Sequence, residues 1–345
     1  MTRSEVAAPA ATPAPADRRP GWWQRESTEP VRRNLGLIGV LVLLVAVGAY
    51  TRPDIYLNSD LAMRNILTIL TQASTIGVLT IGMTFVIIAG GIDLSVGSLV
   101  GLASVWCTTL ATQSYGWGGM IFAAIVVATM AGLVNGVLIA YGRLVPFIAT
   151  LAMLVAARGL AARISAKRTQ VNSVTEINNI AETRILGIPL LVLIFAAVVA
   201  VGWVLLNRTT FGRRTVAIGG NPEAARLAGI NVRWQTLLVY GLSGLCAGIA
   251  AIMLVSQTNS GASTNGEFWE LDAIAAAIIG GTALSGGRGT IIGSLLGVVV
   301  FATITNLFIV NNLPIEVQNI VKGGIIVGAV LLQQFRVGGL IRRKP

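Results

Sequence analysis

Gly90-Gly91-Ile92-Asp93-Leu94-Ser95 and Gly280-Gly281-Thr282-Ala283-Leu284-Ser285 are near-copies of one phrase, and each interrupts a run of apolar residues. After a six-residue insertion in the second copy (286–291) the likeness resumes, with Val96-Gly97-Ser98-Leu99-Val100-Gly101 against Ile292-Gly293-Ser294-Leu295-Leu296-Gly297. Glycines of this kind stop a helix, and Asp93 or Ser95 is placed to cap the next one, satisfying backbone N–H groups that lipid leaves unpaired. The phrase therefore reads as a helix-to-helix junction within a membrane domain, used twice. Capping alone accounts for Asp93; the alternative is that Asp93 and Ser95 border a solute path or move as a gate.

The rest of the chain agrees with a membrane domain. Of 345 residues, 54% are hydrophobic and 11% charged, with a mean hydropathy of +0.77, which is too apolar for a soluble domain. The net charge of +11 would suggest nucleic acid in a soluble protein, but here the basic residues sit between apolar stretches and act as topology signals, so no nucleic-acid partner is expected. The two cysteines, Cys107 and Cys246, fall inside apolar segments and read as small packing residues. Histidine is absent and no carboxylate cluster replaces it, so no metal site is expected.

A hydrocarbon core of about 30 Å needs roughly 20 apolar residues per crossing. Ten stretches fit: 35–50, 62–89, 94–112, 118–140, 147–162, 187–206, 236–257, 271–283, 290–310 and 317–335. The eighth is short and Ala-rich, so a re-entrant or broken segment is expected there. The fold expected is an all-α polytopic transmembrane bundle of about ten spans with an internal repeat. With both termini cytoplasmic, 17 of the 25 basic residues lie inside (Arg3, Arg18, Arg19, Arg25, Arg32, Arg33, Arg143, Arg208, Arg213, Arg214, Arg226, Arg233, Arg288, Arg336, Arg342, Arg343, Lys344). Six lie outside (Arg52, Arg64, Arg163, Lys167, Arg168, Arg184), while Arg158 and Lys322 fall within spans, where their long stems are expected to snorkel. Six spans separate the two phrases, which puts both on the cytoplasmic side in the same sense. Residues 1–33, rich in Ala, Pro and Arg, read as a disordered cytoplasmic tail with Trp22 and Trp23 as an interfacial anchor. The transmembrane domain is 34–336, and 337–345 is a basic cytoplasmic tail.

Asn65, Thr68, Gln72 and Thr75 recur at helical spacing along one face of the second span. Such a stripe serves either hydrogen bonding between helices or a pathway for a hydroxyl-rich neutral solute, with Asn135, Thr303 and Asn306 as companions. Glycines four apart at 97/101, 132/136, 244/248, 293/297 and 324/328 permit close helix approach. The inner loop 207–235 contains a short helix, with Asn221 as cap, Pro222 at its first position, Glu223, Ala224 and Arg226 along it, and Gly229 as stop. Two turns are marginal in water, so docking on a cytoplasmic partner is expected, against a connector lying on the surface. No G-x-x-x-x-G-K-[ST] run occurs, so any ATP-driven motor of the P-loop kind is another polypeptide.

Gly82-Met83-Thr84-Phe85-Val86-Ile87 leading into the first phrase, Phe147-Ile148-Ala149-Thr150-Leu151, Gly219-Gly220-Asn221 with Ala228-Gly229-Ile230-Asn231-Val232, and Leu271-Asp272-Ala273-Ile274-Ala275-Ala276 before the second phrase resemble the permease subunit of ribose-type bacterial ABC sugar importers. The resemblance covers about residues 35–335. It implies a non-enzymatic subunit in the cytoplasmic membrane that imports a pentose or hexose. A second permease copy, surrounding lipid, a separate ATP-binding subunit and an extracytoplasmic sugar-binding protein are its implied partners. ATP and magnesium would sit on the ATP-binding subunit, none on this chain, and Asn221 to Ile230 would be the coupling helix. Branched-chain amino acid permeases are distant relatives and keep a second substrate class open. A secondary transporter and a scaffold are the other readings. An ion-coupled carrier places ionisable groups inside its spans, whereas the carboxylates here read as clustered at junctions and loops.

Overall fold

The computed structural model describes residues 29–341, with side chains from 32 to 331. The expectations for Trp22, Trp23 and the remaining tail residues 1–28 and 342–345 lie outside the described residues. Helices follow one another almost without interruption: α1 (Glu29–Thr51), α2 (Pro53–Tyr56), α3 (Ser59–Ile88), α4 (Val96–Cys107), α5 (Leu110–Gln113), α6 (Gly116–Ala140), α7 (Pro146–Ile164), α8 (Thr175–Glu182), α9 (Leu190–Arg208), α10 (Thr210–Gly220), α11 (Pro222–Leu227), α12 (Val232–Thr258), α13 (Trp269–Ile279), α14 (Ile291–Val310) and α15 (Ile315–Ile341). Four two-residue strands form two small antiparallel pairs, β1 (Gln170–Val171) with β4 (Ser260–Gly261) and β2 (Arg184–Ile185) with β3 (Ile188–Pro189). The chain is thus a polytopic helical bundle.

Among the described residues, seven helices are long and apolar enough to cross a membrane: α1, α3, α6, α7, α9, α12 and α14. The third and eighth expected spans are shorter than read. At 1.5 Å per residue, α4 with 12 residues and α13 with 11 span only about 18 and 16 Å. Protein surrounds them instead of lipid, since in α4 only Trp106 is exposed, and short buried helices are tolerated at membrane depth on that condition. The start of α13 is fixed by Phe268 in the left-handed region (φ 64°) after Gly266 (φ 71°). The first helix also begins at Glu29, inside the tail expected to run to residue 33.

Burial separates the centre from the rim. Within their apolar windows α12 is 78% buried and α3 61%, against 11% for α1. Close approach at glycine explains the centre: a side chain at Gly132 would meet the backbone of Tyr240 and Gly244 on α12, and one at Gly136 would meet Leu237. Gly97, Gly101, Gly248, Gly293 and Gly297 are likewise filled against neighbours, as the four-residue spacing predicts. Gly324 and Gly328 are the exception, because nothing lies within 4 Å of a Cβ placed there, so that pair packs against no other part of the described chain.

Both repeated phrases end a helix in the same way. Gly90 (φ 86°) follows Ala89, with Gly90 N–H donating to Ile87 O and Gly91 N–H to Val86 O. Gly281 (φ 84°) follows Gly280, with Gly281 N–H donating to Ile278 O and Thr282 N–H to Ala277 O. These are Schellman stops, which need a left-handed residue that glycine supplies without a Cβ penalty. The stop comes one residue later in the second copy. The flanking lengths are also reversed: a 30-residue helix precedes a 12-residue one at the first junction, and an 11-residue helix precedes a 20-residue one at the second.

Candidate functional site

Three glycine-rich segments distant in sequence interlock at one end of the bundle. Gly287 N–H donates to Ile88 O at 2.8 Å, which caps the last turn of α3 with the second junction's insertion. Gly219 of α10 abuts the same carbonyl, so that a Cβ there would collide with Ile88 O and lie 2.5 Å from Gly287 N. Gly286 and Gly287, both left-handed, leave less than 3 Å between an added Cβ and the backbone of Gly219 or Gly220. Arg33 near the start of α1 donates from Nη1 to Gly281 O at 3.0 Å and from Nη2 to Thr290 Oγ1 at 3.2 Å. Thr150 Oγ1 reaches Ile92 O at the same end. Both junctions, the α10–α11 loop and the base of α1 therefore share one face of the molecule.

The expected short helix is α11, and its caps are those expected. Asn221 Oδ1 accepts from Glu223 N–H at 3.0 Å and Ala224 N–H at 2.9 Å, Pro222 opens the helix, and Gly229 (φ 82°) closes it. Ahead of it lies α10, an amphipathic helix where the sequence reading saw loop; Thr209 caps it, and Gln235 of α12 anchors it by donating to Phe211 O and Thr215 Oγ1. Only Ala225 of α11 is buried, while Leu227 is 76% exposed. Arg226 and Glu223 pair at 2.6 Å with both side chains 64% exposed. The hydrogen bond from Arg226, followed by its charge, holds the Glu223 carboxyl below the ordinary carboxylate range. The helix thus leaves most of its surface, apolar tip included, uncovered by the described chain.

The polar residues named from sequence divide into two groups. Asp93 and Ser95 are fully buried, and their carboxylate and hydroxyl tie three helices together. Asp93 Oδ1 accepts from Ser95 N–H at 3.0 Å and Ser95 Oγ at 2.6 Å, while Oδ2 accepts from Ser243 of α12 at 2.9 Å. Asn135 of α6 donates to Ser95 Oγ at 2.9 Å. Ser95 takes the cap position of α4 without a side-chain cap bond, since its hydroxyl is committed to Asp93.

The second group borders a cavity of 260 Å³ between α3, α12, α13, α14 and α15, just below the roughly 300–1,000 Å³ range of ligand pockets. Gln72 and Thr75 line it, with Gln257 donating to Thr75 Oγ1 at 2.9 Å. Gln72 Oε1 is buried with no hydrogen-bond partner among the described residues. Asn65 and Asn306 are buried but do not line it, and Asn306 Oδ1 accepts instead from Tyr56 at 3.4 Å. Thr68 is exposed and turns its hydroxyl back to Arg64 O, the usual way a helix satisfies a hydroxyl internally. Thr303 does the same toward Val299 O, and its neighbour Thr305 lines the cavity.

Sequence reasoning did not assign Trp269, Asp272 or Lys322 to a solute path, and all three line the cavity. Lys322 does not snorkel: its ammonium pairs with Asp272 Oδ2 at 3.3 Å and lies 5.3 Å from the centre of the Phe301 ring. Arg158 bonds Ser263 O and Asn265 O rather than open water. Glu270 and Asp272 belong to the buried face of α13, not to a junction: the helix starts two residues before the eighth stretch and so takes in Glu270, while Asp272 already lay within that stretch. The available signal was that opposite charges within apolar spans find each other.

Residues 65–330 match the family model for the permease component of the branched-chain amino acid transport system. The ribose import permease of Bacillus subtilis (strain 168) is 38% identical over 320 residues, 88% of this chain and 94% of its own. That of Escherichia coli (strain K12) is 36% identical over 301 residues, covering 86% and 92%. The L-arabinose ABC transporter permease of Azospirillum brasilense is 35% identical over 328 residues, covering 95% and 94%. No solved structure matches this chain.

Proposed function

The chain belongs to the family of permease components described for branched-chain amino acid transport, and on that premise we propose that it is the membrane subunit of an ATP-binding-cassette importer that carries a monosaccharide into the cytoplasm. Likeness to ribose and arabinose permeases along nearly the whole chain carries the sugar assignment. The amides and hydroxyls of the cavity support it, since they suit a neutral solute rich in hydroxyl groups. In this reading the chain passes the membrane ten times with both termini in the cytoplasm, in keeping with 17 inner against six outer basic residues. A second copy packs on the open Gly324/Gly328 face of α15 beside the cavity. An extracytoplasmic protein delivers the sugar, and a separate subunit binds ATP and magnesium.

Coupling runs from α11 through α10 to the glycine interlock. Movement of the docked helix is then felt at the C-terminus of α3, through Gly219 and Ile88, and at the α13–α14 junction, through Gly287. Those are the helices that carry Gln72, near the middle of α3, and Asp272, near the far end of α13. Exchanging the charges of α11 (Glu223→Arg with Arg226→Glu) keeps their mutual bond and inverts what the partner meets. Sugar-stimulated ATP hydrolysis is expected to fall by about tenfold or more, while insertion stays normal. Full coupling in that variant would make α11 a connector only.

The reading is tested in proteoliposomes holding the complete importer, by uptake of labelled D-ribose, L-arabinose, D-galactose and L-leucine. Gln72→Leu is expected to cut sugar uptake about tenfold, the worth of a single hydrogen bond of about 1.4 kcal/mol, with assembly intact. If assembly fails in proportion to uptake, Gln72 serves packing. The second substrate class, amino acids, is favoured by the family description and by a cavity wall that holds both charges. Import of L-leucine with no sugar would establish it.

A further inference from the structure

The Asp272–Lys322 pair is buried, and a buried ion pair is weak evidence of a contribution to stability. Their side chains are 10% and 18% exposed, and one stands on α13 and the other on α15. Removing two charges from water is costly, and apolar residues of similar volume would join two helices in lipid at least as well. The pair also lines the cavity, together with Gln72, whose Oε1 has no partner among the described residues, Gln257 and Trp269.

A hydroxyl group both donates and accepts, so two adjacent hydroxyls can bridge an anion and an ammonium at once. One donates to the carboxylate while its neighbour accepts from the N–H. We propose that Asp272 and Lys322 together form the subsite for a vicinal diol of the translocated sugar, with Gln72 Oε1 accepting from a further hydroxyl. The assignment rests on the reading of the chain as a sugar permease and adds the residues that set specificity. With the cavity empty, the two groups satisfy each other; with sugar present, the diol inserts between them, and no charge is left without a partner at either stage. Trp269, which also lines the cavity, supplies apolar surface for the C–H groups of the sugar.

The test uses the complete importer in proteoliposomes and whichever of D-ribose, L-arabinose and D-galactose the wild type imports, together with the monodeoxy analogues of that sugar. The variants are Asp272→Asn, Lys322→Met and the neutral double variant Asp272→Asn with Lys322→Gln. The binding protein is the same throughout, so its own preference cancels when variants are compared. Uptake of the parent sugar is expected to fall about tenfold in each single variant. Uptake of the analogue lacking one hydroxyl of the diol falls far less, so the wild-type discrimination between the two collapses. If all sugars fall in equal proportion, the pair is structural and the proposal fails. It fails also if the double variant, which carries no charge at this pair, keeps wild-type uptake and discrimination. A wild type that imports L-leucine and none of the sugars overturns the underlying reading, a result distinct from unchanged discrimination in a working sugar importer.

Discussion

Asp93→Leu is expected to destabilise the folded protein by about 3 kcal/mol or more, the sum for three buried donors each left without an acceptor at about 1–3 kcal/mol. Those donors are Ser95 N–H, Ser95 Oγ–H and the Ser243 hydroxyl, from two helices that meet at the first glycine junction. Asn135 loses its partner as well if Ser95 rotates away. The protein carries its own reporters, since Cys107 and Cys246 are both buried. Heating the detergent-solubilised protein with a thiol-reactive fluorophore should show the midpoint lowered by about 5 °C or more. Asp93→Asn keeps an acceptor oxygen and the side-chain shape, so it should fall between the two. A leucine variant that melts with the wild type would show that this network contributes nothing.

The second large effect is expected at Gly219, tested against its neighbour. Gly219→Val places side-chain atoms against Ile88 O and the Gly287 N–H that bonds it, and both obstacles are backbone. Neither can rotate away, so the interlock must open or α10 must shift, an overpacking cost of about 1–3 kcal/mol. Gly220→Ala has nothing within 4 Å of its Cβ and an ordinary backbone conformation. ATP-driven uptake should drop about tenfold or more in Gly219→Val and stay at the wild-type level in Gly220→Ala. Because α11 itself is untouched, the ATP-binding subunit should still co-purify with the valine variant. Wild-type uptake in Gly219→Val would remove the interlock from the coupling route.

Much of the architecture was legible because it is local. The apolar lengths that mark α1, α3, α6, α7, α9, α12 and α14 are properties of single segments, and the bilayer dictates them. The glycine stops at Gly90 and Gly281 and the Asn221 cap of α11 need hydrogen bonds that close within a few residues, so composition at those positions suffices. What failed is instructive in the same terms. The third span was read long because hydropathy counts apolar residues without regard to where the helix stops, whereas the eighth was read as short and α13 is short. The helix α10 was read as loop because Gly212, Gly219 and Gly220 argue against a helix in isolation, whereas packing on α3, α9 and α12 holds it.

The candidate site divides along the same line. The 3.6-residue period placed Gln72 and Thr75 on one face of α3, but the period alone equally nominated Thr68, which turns outward and satisfies itself on Arg64 O. Asn135 and Asp93 were legible as buried polar residues, yet only the fold shows that they bind each other's neighbours and not the cavity. By itself, the sequence determined that the chain is a membrane helical bundle with two glycine junctions and a short capped helix, because helix length, stop and cap are decided by contacts within a turn or two. Only the tertiary structure decided that Asp272 meets Lys322, that Arg33 meets Gly281, and that Gly219, Ile88 and Gly287 interlock. Partners so far apart in the chain are selected by how helices pack, and no periodicity along one segment encodes its neighbour.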